Sequence, residues 1–100
     1  MASFRLFVQN EAKAEIRALP GHMRQRVSRA VRALAGEPRP PASRVLDVQG
    51  VAIEVRRLRI DRWRVIYTID SELNEIVVYA VRKRPPYDYS DLETLLEPEG

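Results

Sequence analysis

The sequence predicts a single α+β domain over residues 1–100: an N-terminal strand, two helices packed on a mainly antiparallel four-stranded sheet, and a short C-terminal helix. Three observations carry this reading. Apolar residues recur at helical spacing between residues 10 and 35, β-forming runs fill residues 53 to 84, and a proline pair precedes a leucine-rich end. One hundred residues, 45% of them hydrophobic, are enough for one modest core.

Phe4-Arg5-Leu6-Phe7-Val8 is the N-terminal strand. Asn10 suits a helix N-cap with Glu11 at the positive end of the dipole, and the helix runs to about Leu19 with Ala12, Ile16 and Leu19 on its buried side. Pro20-Gly21 ends it. A second helix spans roughly His22 to Ala35, its stripe formed by Met23, Val27, Ala30, Val31 and Leu34. Arg24, Arg26, Arg29 and Arg32 lie off that stripe, on a solvated face. Gly36 is placed to follow the helix end. Residues 37–43 hold three prolines and form a stiff loop, after which Val45 and Leu46 are expected to pack beneath the sheet.

The sheet strands follow, and their alternation matters most. In Arg56-Arg57-Leu58-Arg59-Ile60, Arg57 and Arg59 share one face while Leu58 and Ile60 share the other. Ile53 and Val55 have the parity of the arginines, so either a β-bulge near Arg56 shifts the phase or the regular strand begins there. After a tight turn, Trp63, Val65, Tyr67 and Ile69 are buried by parity and Arg64 faces the other way. Residues 70–74 are a polar hairpin turn. The last strand, Ile76 to Arg82, leads to Lys83-Arg84, and places Arg82 and Arg84 on one face. Ser90 is a candidate cap for a short helix from Asp91 to Leu96.

Charge points to the partner. The net charge is +3, but residues 1–84 hold all seventeen basic side chains against nine acidic ones, whereas residues 85–100 hold five acidic residues and no basic one. Fifteen of the basic residues are arginines, and eight basic residues fall between Arg56 and Arg84. Arginine on an open sheet face is ordinary. A dense set on three strands repels itself, and guanidinium forks onto phosphate, so the patch suits nucleic acid. The acidic tail is a candidate shield for that patch. Without cysteine there is neither a disulfide nor a thiolate metal site, and no cofactor is expected. No run reaches membrane-spanning length and the start lacks a signal peptide's apolar core, so the cytoplasm is the expected location. HExxH, nucleophile-elbow and Walker motifs are missing from the sequence.

Arg57-Leu58-Arg59-Ile60, then Trp63-Arg64-Val65-Ile66-Tyr67, then Arg84 with Tyr87 and Tyr89 before a terminal helix, resembles the RelE/ParE superfamily of type II toxins. The likeness spans nearly the whole chain. It implies a small basic toxin held by a RelB-like antitoxin in a hetero-oligomer and, in the RelE branch, an mRNA interferase that cuts on the ribosome. Carried over residue by residue, Arg64, Arg84 and Tyr89 become the catalytic set, with Tyr87 as the alternative to Tyr89. Arg57, Arg59, Arg82, Lys83 and Tyr87 become RNA-binding residues. Two departures stand out: Asp61-Arg62 occupies a turn that usually carries Gly and Asp, and RelE has lysines where Arg57 and Arg59 stand. The second keeps a ParE-like alternative open, inhibition of DNA gyrase without nuclease activity.

The nuclease chemistry would be attack of a 2′-hydroxyl on the adjacent phosphate. Guanidinium groups stabilise the charge gathering on its non-bridging oxygens. Arginine cannot serve as the base. His22, the one histidine, lies far from the cluster in sequence, which leaves Tyr89, whose cationic neighbours favour a phenolate. Tyr89 could instead stack on a splayed base, or pack the terminal helix.

Overall fold

The computed structural model describes residues 3–96. Its order is β1 (Arg5–Val8), α1 (Asn10–Arg17), α2 (Gly21–Ala33), β2 (Ser43–Leu46), β3 (Glu54–Ile60), β4 (Trp63–Asp70), β5 (Glu75–Lys83) and α3 (Leu92–Leu95). The predicted fold class holds, with one correction: the sheet has five strands, in the order β1-β5-β4-β3-β2. β1 runs parallel to β5, and every other pairing is antiparallel.

The added strand is β2. Val45 does not pack beneath the sheet: it is 60% exposed on the outer edge strand, and only Leu46 reaches apolar neighbours. The preceding loop is what delivers β2 to β3. Tyr67 Oη donates to Pro38 O at 2.7 Å, and Arg39 grips Glu54 through two bonds of 3.0 and 2.8 Å. Ser43 Oγ donates to Pro40 O at 2.7 Å and accepts from Arg56 Nε at 3.0 Å. Arg56 therefore belongs to this structural network and lies in register with Tyr67, on the opposite face from Arg57.

The helices cover one face of the sheet. Ala12, Leu19, Met23, Val27, Val31 and Leu34 close against Leu58, Ile60, Val65, Tyr67, Ile69, Ile76, Val78 and Val81, all buried. Helical periodicity and the alternation of β3 and β4 select most of these residues, whereas Ile76 and Val78 share a face with Val81 because the register shift between Ile66 and Tyr67 changes the phase of β5. Their burial is the main stabilising term. The N-cap of α1 is Gln9 rather than Asn10, and no side chain caps it; Asn10 is already helical.

The second face carries a smaller core of Val48, Val55, Ile66, Ala80, Leu92 and Leu96. This resolves the phase of β3. No bulge occurs near Arg56, and Val55 keeps the parity of Arg57 and Arg59 because the C-terminal segment covers it. The one irregularity lies between β4 and β5, where Ile66 pairs with Ala80 and Tyr67 with Val78. Ser90 does not cap α3. Asp91 occupies the cap position without a side-chain bond to the helix's own N–H groups, while the Ser90 N–H donates to Asp88 Oδ1 at 3.1 Å. Among the described residues, no helix is long and apolar enough to cross a membrane.

Candidate active site: an arginine face closed by a tyrosine loop

Register assembles the site. Arg59, Arg64 and Arg82 stand directly opposite one another across β3, β4 and β5, and Arg44 stands opposite Arg57 across β2 and β3. Like charges in facing positions are unfavourable within a sheet, so this arrangement is a standing electrostatic cost. Arg84 continues the alternation past the end of β5, held by its N–H to Arg62 O at 2.8 Å. Arg57 on β3, Arg64 on β4 and Arg84 just past β5 thus share one face.

The turn that reverses β3 into β4 has two residues, Asp61 and Arg62, and Asp61 takes a φ of +57°. Aspartate tolerates that left-handed conformation better than most side chains. The turn then receives Arg64, whose Nη1 donates to Asp61 O at 3.0 Å and to Trp63 O at 3.1 Å. Arg64 Nε is buried with no partner. Among the described residues, no carboxylate pairs with Arg44, Arg57, Arg59, Arg64 or Arg84, although Arg5, Arg39, Arg56 and Arg82 are all paired. Burial lowers the Arg57 pKa and the nearby charges of Arg64, Arg44 and Arg59 lower it further, against an opposing pull from Tyr89. The arginines and Tyr89 therefore share one electrostatic neighbourhood.

Pro85 and Pro86 fold the chain back so that Tyr87 and Tyr89 meet edge-on, with ring centroids 4.9 Å apart at 65°. Arg84 lies over the Tyr89 ring at 5.1 Å and Arg82 over the Tyr87 ring at 5.5 Å. Both hydroxyls are buried without a partner that meets hydrogen-bond geometry. Tyr89 holds a φ of +65°, uncommon for an aromatic residue and a form of strain found at working sites.

Comparison with known proteins fits this geometry. Residues 6–85 match the family described as the ParE toxin of the type II toxin-antitoxin system, parDE. The chain belongs to the ParE toxin family. No curated protein matches the toxin. Its fold is that of solved RelE structures within the RelE/ParE superfamily. A chain of the archaeal RelE–RelB complex from Pyrococcus horikoshii OT3 superposes with a TM-score of 0.74 at 20% identity, covering 85% of the toxin and 99% of that chain. The RelBE2 toxin–antitoxin complex of Mycobacterium tuberculosis gives 0.68 at 22%, covering 84% and 94%. The isolated E. coli RelE toxin gives 0.64 at 18%, covering 92% and 93%.

Against the expected site residues, the toxin's structure brings Arg57, Arg59, Arg64, Arg84, Tyr87 and Tyr89 together and revises two others. Lys83 pairs with Trp63 and so projects to the helix side of the sheet, because odd positions of β5 near its end face away from the arginines. Arg82 is on the right face, but it meets Glu11, Glu15 and Asp91 and has no open fork for RNA. Burial pushes the Tyr87 hydroxyl well above the ordinary tyrosine range, with Asp91 adding to the effect. His22 is exposed at the start of α2. Sequence reading missed Arg44, which becomes visible only once β2 is paired to β3. Of the acidic tail, Asp91 is engaged with Arg82, whereas Glu97 and Glu99 lie outside the described residues.

Proposed function

We propose that this toxin is a ribosome-dependent endoribonuclease that cuts mRNA, and that a RelB-like antitoxin holds it inactive in a hetero-oligomer. The observation that carries this reading is the convergence of Arg57 on β3, Arg64 on β4 and Arg84 just past β5, none paired with a carboxylate among the described residues, beside the strained Tyr89. A scissile phosphodiester is the substrate such a face suits: anionic, compact and in need of charge stabilisation as it reacts.

In the reaction, the 2′-oxygen forms a bond to phosphorus and the bond from phosphorus to the 5′-oxygen breaks. The products are a 2′,3′-cyclic phosphate and a 5′-oxygen that takes a proton from water to become the 5′-hydroxyl. Arg64 and Arg84 stabilise the non-bridging oxygens, and Arg57 and Arg59 align the backbone. Tyr89, whose side-chain oxygen has no hydrogen-bond partner inside the cluster, takes the 2′-proton in its phenolate form, becoming the neutral phenol, or its ring stacks on a splayed base. The similarity to RelE–RelB complexes supports a protein antitoxin as partner.

Inhibition of DNA gyrase is the second reading. It is favoured by the ParE family match and by the absence, among the described residues, of a carboxylate paired with Arg64. Two assays on the same preparation separate the readings: primer extension on mRNA in programmed ribosomes, and supercoiling by gyrase. New ribosome-dependent 5′ ends with normal supercoiling support the nuclease. Blocked supercoiling with intact mRNA replaces it with the inhibitor.

A further inference from the structure

We propose that Arg82 is a positioning residue, a clamp that seats the Tyr87–Tyr89 loop and so fixes Tyr89 against the arginine face; this rests on the reading of Tyr89 as a site residue. The Arg82 guanidinium meets carboxylates from two distant segments. Nη2 lies 2.9 Å from Glu11 Oε1, Nη1 lies 3.1 Å from Asp91 Oδ2, and Nε abuts Glu15 Oε2 without hydrogen-bond alignment. Glu15 is fixed independently, since its other oxygen accepts the Val81 N–H at 2.9 Å. Three carboxylates around one guanidinium leave a local surplus of negative charge, which repels a phosphate. Arg82 therefore differs in kind from Arg57, Arg64 and Arg84, whose charges meet no carboxylate among the described residues.

What Arg82 does instead is hold two things. It ties Asp91, the cap position of α3, to α1 and β5, and it supports the Tyr87 ring from one side. From there a continuous stack runs Arg82, Tyr87, Tyr89, Arg84. One end is neutralised and anchored, the other exposed. α3 has four residues, too few to be stable alone. Left-handed backbone is unfavourable for an L-residue, so Tyr89 keeps its φ only while its neighbours enforce it.

The test uses full-length toxin carrying Arg82→Met, Asp91→Asn, Tyr89→Ala, or Arg82→Met combined with Tyr89→Ala. It reads tyrosine ring resonances by NMR and mRNA cleavage on programmed ribosomes. Arg82→Met should move the Tyr87 and Tyr89 resonances toward solvent-exposed values while Tyr67 stays in place. Its turnover number should fall roughly 10–100-fold with KM changed less than about 3-fold, the pattern of lost positioning. In the Tyr89→Ala background the same substitution should cost less than about 2-fold, since its effect passes through Tyr89. Unmoved Tyr87 and Tyr89 rings, or multiplicative losses with a raised KM, would overturn the clamp. If Arg82→Met also displaces Tyr67, the milder Asp91→Asn must give the same ring shifts at smaller amplitude, and no shift there defeats the proposal. If wild-type toxin leaves mRNA intact, the ring resonances alone decide, so the clamp and the nuclease reading fail separately.

Discussion

The two faces of the sheet have been treated differently. Under the helices, Val65, Tyr67, Ile76 and Val78 have no exposed surface at all. On the other face, apolar burial runs through Val55, Ile66 and Ala80, and beyond them, toward the turn that joins β3 to β4, the same strands carry Arg57, Arg59, Arg64 and Arg82. Nothing geometric prevents an apolar residue at position 57, 59 or 64. The difference teaches that this half-face is kept open and cationic at a cost in self-repulsion, which an anionic partner would offset.

The sharpest way to break that comparison is to truncate matched positions on the two faces. Ile76→Ala, on the helix face, should cost about 3 kcal/mol, as cavity-forming changes do. Arg59→Ala should stay within about 0.5 kcal/mol of wild type, because it removes a facing like charge rather than a contact. Chemical denaturation of both variants decides it, and equal losses would mean that the arginine face is structural. Tyr67→Phe comes next. It deletes the bond to Pro38 O inside the helix-face core and should cost about 1 kcal/mol, with the loss seen as faster amide exchange across residues 38–46.

The pH dependence separates the two ends of the molecule. The hydrogen bond from Arg39, aided by that from Arg56, holds the Glu54 carboxyl below its usual range of 4.5. Its contribution to stability is therefore present above that value and lost as pH falls. Glu54→Gln should flatten the acid limb of a stability profile. Tyr87 has the opposite sign. Its pKa is raised above 10.0 by burial, so its contribution is full below pH 10 and lost as pH rises further. Tyr87→Phe should flatten the alkaline limb, and an unchanged limb would place that ring in solvent. The smallest expected effect is at the turn. Asp61→Gly relieves the left-handed φ and should add about 0.5 kcal/mol, offset by glycine's greater freedom when unfolded. A loss of stability would mean that the Asp61 side chain matters to the turn.

Much of this was legible in the sequence, and the exceptions share a cause. Alternation placed Arg57, Arg59, Arg64 and Arg84 on one face because period two is a local property. It failed at Ile53 and Val55, where the puzzle of apolar residues with arginine parity was solved by a remote segment, Leu92 and Leu96, lying over Val55. It missed Arg44 because β2 is four residues long, carries an exposed valine, and exists only through pairing and the anchors on Pro38 and Glu54. Arg82 has the expected face, but its guanidinium is taken up by carboxylates. Its partners Glu11 and Glu15 lie on α1, some seventy positions earlier in the chain, and no spacing rule connects them.

The central claim is that guanidinium groups gathered from three strands act on an RNA phosphodiester. Primer extension on mRNA in programmed ribosomes, comparing wild type with Arg64→Ala at equal thermal stability, tests it most directly. The account predicts discrete ribosome-dependent cuts for wild type and a loss of roughly 10²–10³-fold in rate for the variant. Cuts of undiminished rate with Arg64→Ala, or none with wild type, would contradict it.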